Sequence, residues 1–432
     1  MTSRPISLVS NVPRRRWGIA FLLGFGVLVN FFDRVNLSVS QAALHETFGI
    51  STVTFGFLLS AYSWTYAVFQ LPSGLILDRF GVKLVGRIGA LVWSVASFAA
   101  AISTGLAGFL GARLLLGIGE APTFPGNAKA VGYWFPAEER SLATAIFDSA
   151  AKLSSAIGVP LLGILLLRFG WRWSFAATGF LSLVYFILFY AFYRNPSEDK
   201  SLSAAERNFI SQHGAQPEDP AKSAEGAPFA YLLRQRKVWG LVLGFASYNY
   251  TFYLLLTWMP SYLSSAHHVD LLHSVLYTSV PWLFATFTDI FVGGWLVDKL
   301  IKQGRDASLV RQSILIGGTT LGLGMLGAAY AQSAITALVW ISVAIGGLSA
   351  AAPVAWSLPS LIAPRESVGT VGGIMNFGSQ LSAISAPIAT GYIASMTHSF
   401  FWAFGVAAAF LAAGIAGYMF LLGRIEVIPE PS

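Results

Sequence analysis

Gly74-Leu-Ile-Leu-Asp78-Arg79-Phe-Gly81-Val-Lys83 closes one long apolar run, 52–77, and leads into another, 84–103. A helix that crosses a bilayer needs roughly 20 mostly apolar residues. The charged stretch between these runs therefore reads as a short turn at a membrane face. The pattern returns as Gly294-Trp-Leu-Val-Asp298-Lys299 at the end of the apolar run 271–297. Each copy has a small residue, three apolar residues, then an acid and a base. Such an echo is expected of two equivalent halves.

Outward from these two motifs, the chain divides into twelve candidate spans: 17–41, 52–77, 84–103, 106–134, 141–167, 173–193, 238–263, 271–297, 312–331, 335–362, 367–395 and 400–422. Helices are expected rather than a barrel, whose strands need only about 9–11 alternating residues. Composition agrees: 55% of the 432 residues are hydrophobic and 11% are charged, against about 25% charged in a soluble chain. The expected fold is an all-α membrane protein of two six-helix bundles, 1–193 and 238–432, joined by a polar loop at 194–237.

The net charge of +7 is a topology signal, not a nucleic-acid footprint. With an even number of spans both termini share a side, and that side holds twenty-two of the 27 Lys and Arg. The other side holds Arg168 and Arg172, and Arg34, Arg113 and Lys152 lie within spans. Basic loops face the cytoplasm, so both termini are expected there, in a bacterial inner membrane. The first apolar run is too long for a cleavable signal peptide. No cysteine is present, which excludes thiolate chemistry. In the central loop Ser203 and Glu206 have capping-box spacing, and Gly214–Pro228 has the composition of a flexible linker. A tether is the expected role, with a regulatory module as the alternative.

Six spans, a linker and six more recur in carriers whose substrate site lies near mid-membrane between the halves. The stretch Gly74-x3-Asp78-Arg79-x-Gly81-x-Lys83 resembles the signature of the major facilitator superfamily. The resemblance implies that Gly74 admits a close helix approach. It also implies that Asp78 and Arg79 latch the halves in one conformation.

A charge at the bilayer centre costs roughly 2.5–3.5 kcal/mol on insertion scales, so such charges are functional by default. The first span carries Asn30-Phe31-Phe32-Asp33-Arg34-Val35-Asn36, and the fourth carries Arg113-Leu-Leu-Leu-Gly117-Ile-Gly119-Glu120. Arg113 and Glu120 are two turns apart on one face, with Gly117 between them. Asp33 and Arg34 diverge by about 100°, so one is expected to face a cavity and the other a neighbouring helix. The structural alternative is a set of ion pairs such as Asp33 with Arg113, but buried salt bridges are weak sources of stability.

These residues, with Ala121-Pro122-Thr123-Phe124-Pro125-Gly126, resemble the anion:cation symporter family of bacterial galactonate, hexuronate, glucarate and phthalate-type permeases. The resemblance implies that Arg34 binds the substrate carboxylate and that Asp33 and Glu120 carry coupled protons, with Arg113 their partner. It also places Tyr66, Trp356 and Asn376 in the substrate pocket. Four departures stand out: Phe31, Ala151, Pro353 and Ala355 occupy positions where sugar-acid carriers have Tyr, Gln or hydroxyl residues. Fewer hydrogen-bonding groups disfavour a polyhydroxylated substrate. In the fifth span Asp148 and Lys152 form an i, i+4 pair. It is either self-neutralised or offers Lys152 as a second cation for a dianion. Asp289 in the eighth span is either a gate residue or a coupling site.

Asp33, Glu120, Asp148 and Asp289 against Arg34, Arg113 and Lys152 leave one net negative charge inside the membrane. Protonating Asp33 and Glu120 reverses that sign and favours an anion. The expected function is therefore proton-coupled symport of a small organic anion, such as a sugar acid, another carboxylate or a sulfonate. An exchanger or facilitator is the alternative, and a transport-like receptor is a third reading. With no metal-ligand cluster, P-loop or nucleophile–base motif, no enzyme activity, metal or cofactor is expected beyond the proton gradient. The working unit is expected to be a monomer in the lipid bilayer, with no nucleic-acid partner.

Overall fold

The first span, Arg15–Val39, begins at a pair of arginines and runs almost unbroken through apolar residues. A short helix, Gln41–Phe48, follows it and stops at Gly49, whose φ of 60° only glycine adopts readily. The second and third spans then form one helical path, Thr52–Ile102, broken at Gly81, where φ is 76°. The expected loop between them is thus a single hinge, which Gly81 permits because it lacks a Cβ. The fourth span breaks at Ala121 and Pro122 into Leu106–Glu120 and Thr123–Trp134. Arg140–Phe169 and Trp171–Phe192 complete the first bundle. The computed structural model describes residues 14–50, 52–216, 226–267, 271–397 and 399–431.

The second bundle repeats the plan. Its six spans are Arg236–His267, Leu271–Lys302, Ala307–Ala329, Ala334–Ile362, Val368–Thr397 and Phe401–Leu422. The eighth span widens into a π-helical stretch at Asp289–Leu296, and the ninth, tenth and twelfth carry breaks or wide turns of their own. Among the described residues seven helices are each long and apolar enough to cross a membrane, and one, Ala61–Ile102, is 42 residues long. That length covers two crossings. The pair Arg140–Gly158 and Leu161–Phe169, bent by 43°, forms one further crossing of the same kind.

Burial is inverted relative to a soluble protein. Leu167 and Ile102 are 87% and 77% exposed on the outer wall, whereas Asp33, Arg113, Glu120, Lys152 and Asp289 are buried. Apolar side chains facing outward fit a lipid solvent. Between bundles the second span packs on the eleventh, and the fifth on the eighth and tenth.

Both termini and the linker meet on one face, called here the terminal face. Arg15 Nε donates to Asp199 at 3.0 Å, and Lys237 Nζ bonds Glu426 Oε1 at 3.1 Å. The linker is more than the tether its composition indicated. Ser203 caps the helix Ala204–Gln212 through its bond from Glu206 N, but Glu206 does not close a capping box. Its carboxylate instead accepts from Arg15 N, Arg16 N and Arg16 Nη1 at 3.1, 3.2 and 2.9 Å. It thereby satisfies the otherwise unpaired first turn of the first span. Gln216 then bridges the bundles, from its own N–H to Gly132 O at 2.9 Å and from Nε2 to Ser360 O at 2.7 Å. The middle of the expected flexible stretch, 217–225, lies outside the described residues.

Candidate substrate site and its gates

The interior charges converge on a small cavity between the bundles, lined by Arg34, Tyr66, Asp148, Lys152, Trp356 and Asn376 among others. Arg34 reaches it from the first span. Its Nη2 donates to Asn30 Oδ1 at 2.7 Å and to Glu120 Oε2 at 3.3 Å. Three aromatic rings hold the guanidinium: Phe31, Tyr62 and Tyr66 have centroids 4.3, 4.8 and 5.1 Å from its central carbon. A guanidinium has five donors, and the buried Nε has no partner among the described residues. Its side chain is 16% exposed, against 0% for Glu120. The cation faces the cavity with donors to spare, and its counter-charge sits behind it.

Asp33 points the other way, as the 100° divergence required. Its carboxylate accepts from Ser97 Oγ of the third span at 2.9 Å and Ser182 Oγ of the sixth at 3.2 Å. The structural alternative, an Asp33–Arg113 ion pair, is not formed. Arg113 Nη1 donates instead to the Asp33 backbone carbonyl at 3.3 Å. Gly117 is tightly packed: a Cβ there would fall 2.4 Å from Tyr62 O. The fourth span can therefore bring Glu120 up to Arg34.

Tyr66 and Asn376 meet across the bundles. Asn376 Nδ2 donates to Tyr66 OH at 3.3 Å and to Gln70 Oε1 at 2.8 Å. Trp356 lies between bundles too, its ring 5.0 Å from Phe124 and 5.2 Å from Phe245. Of the four departures, Phe31 and Ala151 line the cavity. Pro353 does not; it packs where a Cβ on Gly293 would lie, 2.6 Å from its Cγ. Ala355 is buried away from the cavity. Two of the four therefore take no polar partner from the lining. The seventh span supplies a wall that was not anticipated: Phe245, Tyr248, Asn249, Phe252 and Tyr253. Their spacing of three and four residues marks one helix face, and a lone Asn among aromatics was the available signal.

Lys152 is ion-paired to Asp148 on its own helix and, at 2.8 Å, to Asp289 Oδ2 of the eighth span. The pair read as self-neutralised is a three-membered cluster that joins the bundles. Turns closed by i to i+5 bonds bring Asp289 and Gly294 onto the side facing the fifth span. A Cβ on Gly294 would lie 2.7 Å from Ala145 Cβ.

The two sequence motifs close the terminal face in matching ways. Asp78 accepts from Gly369 N, Thr370 N and Thr370 Oγ1 at 2.9, 2.7 and 2.6 Å. Asp298 accepts from Leu142 N at 2.8 Å. Each acid thus caps the first turn of a helix in the opposite bundle, where N–H groups lack partners and the helix dipole is positive. A Cβ on Gly74 would lie 2.6 Å from Gly369 O, so only glycine allows this approach. The expected role of Arg79 is not observed. Arg79 is exposed and lies 5.3 Å over its neighbour Phe80, while Lys129 Nζ bonds Asp78 at 2.6 Å and supplies the base. Arg79 diverges from that contact because it is next to Asp78 on the helix and faces outward.

Residues 23–385 match the family described as Major Facilitator Superfamily. A D-galactonate transporter of Escherichia coli O6:H1 is 31% identical over 96% of this chain and 97% of its own length. A probable sulfoacetate transporter of Cupriavidus necator is 32% identical over 94% and 92%. Among solved structures, the proton:xylose symporter XylE bound to 6-bromo-6-deoxy-D-glucose has the same fold, with a TM-score of 0.72 and 16% identity, over 95% of this chain and 97% of that one.

Proposed function

The chain belongs to the major facilitator superfamily, as a transporter and not an enzyme, and from that premise we propose that it takes up a small organic anion in symport with protons. The observation that carries this reading is Arg34. A part-buried guanidinium that faces a central cavity, with free donor capacity and a single carboxylate behind it, suits an anion. An incoming carboxylate or sulfonate competes with Glu120 for Arg34. Glu120, once released into a site with little water, takes a proton rather than remain an unpaired buried charge. Proton and anion then favour each other's binding, and the coupling is reciprocal by linkage. Asp33, held by Ser97 and Ser182 and close to Arg113, is the second proton carrier in this reading.

The two gates supply the alternation. Asp78 and Asp298 hold the terminal face shut by capping helices of the opposite bundle; their release opens that face. The placement of Lys and Arg supports assigning it to the cytoplasmic side of a bacterial inner membrane. The relatives, named for D-galactonate and sulfoacetate, support an organic anion as cargo. Phe31 and Ala151 in the lining, with the aromatic wall of the seventh span, support one with fewer hydroxyls than an aldonate.

The test is uptake into proteoliposomes of D-galactonate, sulfoacetate, succinate and an aromatic acid. At least one should accumulate against its gradient when the outside is acidified, and collapse of the pH difference should abolish accumulation. Accumulation driven only by a counter-anion inside, indifferent to pH, would make the protein an exchanger instead.

A further inference from the structure

A second buried charge cluster has no part in anion binding at Arg34 as proposed above. Asp148 and Lys152 of the fifth span and Asp289 of the eighth are all buried, and Asp148 and Lys152 line the same cavity as Arg34. We infer that this cluster is a second anion subsite, which selects a compact dianion and takes up one additional proton on Asp289 as the ligand binds. The inference rests on the proposal that Arg34 holds one anionic group of the cargo.

The geometry argues against a mere staple. Asp148 alone would neutralise Lys152 from the adjacent turn, yet Asp289 is also drawn in, to 2.8 Å, from the other bundle. With both acids ionised the cluster carries one net negative charge. A structural pair has no need of that excess, and burying a surplus charge is costly. The π-helical stretch that begins at Asp289 is a device often found at functional sites.

The other groups facing the cluster are few. Tyr248 of the seventh span places its ring 5.9 Å from Lys152 Nζ. The tenth span brings the uncharged Ala350 and Pro353 against Gly293 beside it. When the second anionic group of a ligand reaches Lys152, it replaces Asp289. Among the described residues no other cation pairs with the displaced carboxylate, so it binds a proton from solution, and the cluster keeps its net charge. One O–H bond forms on Asp289, and the bond that held that proton to hydronium or to the buffer acid breaks. A dianion therefore enters with one more proton than a monoanion, while the Lys152–Asp289 link between bundles is released.

Isothermal titration calorimetry of purified protein with sulfoacetate, succinate and D-galactonate, in buffers of different ionisation enthalpy, reads both affinity and protons bound. Wild type should bind the two dianions more tightly than galactonate and take up one proton more with each. Lys152→Gln should weaken the dianions roughly a hundredfold and galactonate about threefold or less. Asp289→Asn should bind dianions without the extra proton. If Lys152→Gln fails to insert because it leaves two acids face to face, the variant with Lys152→Gln, Asp148→Asn and Asp289→Asn removes all three charges at near-constant shape. It should lose the dianion preference in the same way. Galactonate binding best in wild type, equal weakening of all three ligands by Lys152→Gln, or equal proton uptake for mono- and dianions would overturn the subsite. Arg34→Ala separates the two readings. If it leaves all three ligands unaffected while Lys152→Gln still removes the dianions, the Arg34 assignment fails and the subsite stands.

Discussion

Replacing Arg34 removes the group on which substrate binding is argued to depend. A hydrogen bond to a charged group contributes about 1.5–3 kcal/mol, and a carboxylate held by a guanidinium fork makes two. Arg34→Ala should therefore cost about 3–6 kcal/mol of binding, or roughly 10²–10⁴ in affinity. Arg34→Lys keeps the charge but offers a point donor in place of the fork. It should retain part of the affinity, losing about 10–100-fold. Lysine also surrenders the planar stacking against Phe31, Tyr62 and Tyr66, which contributes to that deficit. Calorimetry gives the affinities, while elution volume and melting temperature in detergent verify that each variant is folded. An Arg34→Ala protein that binds the cargo within threefold of wild type would show that the anion sits elsewhere.

Asp78→Asn keeps the shape of the gate but replaces one acceptor oxygen with a donor facing the N–H groups of Gly369 and Thr370. Transport should fall at least tenfold, by loss of about 1.5–3 kcal/mol per charged hydrogen bond, with cargo affinity near normal. Gly74→Ala drives a Cβ to 2.6 Å from Gly369 O; overpacking of this kind costs about 1–3 kcal/mol and should open the terminal face. Because the chain has no cysteine, thiol labelling of a single cysteine placed in the cavity reads that opening directly, and unchanged labelling would contradict the gate. Burial alone would push the Glu139 carboxyl up, but hydrogen bonds from Arg16 Nε at 2.8 Å and Lys302 Nζ at 2.9 Å hold it below its ordinary 4.5. A depressed folded value means stability present above pH 4.5 and lost as pH falls through the lowered value. The wild-type melting temperature should decline in that acid range, and Glu139→Gln should flatten the decline.

Much of the fold was legible because lipid imposes a simple rule on composition: each run of about 20 apolar residues is a crossing. The two glycine–acid motifs were legible as a repeat, and the structure gives the reason. Gly74 and Gly294 each admit a helix of the other bundle, and Asp78 and Asp298 each cap one. Arg34 and Asp33 were legible as divergent because adjacent helical residues cannot share a face. What stayed hidden depended on contacts between distant segments. Nothing near Asp289 in the chain points to Lys152, its partner in the other bundle. Lys129, not the adjacent Arg79, reaches Asp78 because the fourth span turns it inward. Glu206 looked like half of a capping box until the start of the first span was seen resting on its carboxylate. Pro353 and Ala355 were assigned to the lining from position alone, yet packing against the eighth span and burial in the bundle keep them off it.

Proton-coupled symport is tested most directly by Glu120→Gln in proteoliposomes, with counterflow and pH-driven accumulation measured on the same preparation. Glutamine mimics the protonated acid and leaves Arg34 free of its partner at 3.3 Å. Binding and counterflow should therefore persist while accumulation under an inward proton gradient disappears. A Glu120→Gln protein that still concentrates its cargo when the outside is acidified would contradict the account, because the coupled proton would then be carried by another group.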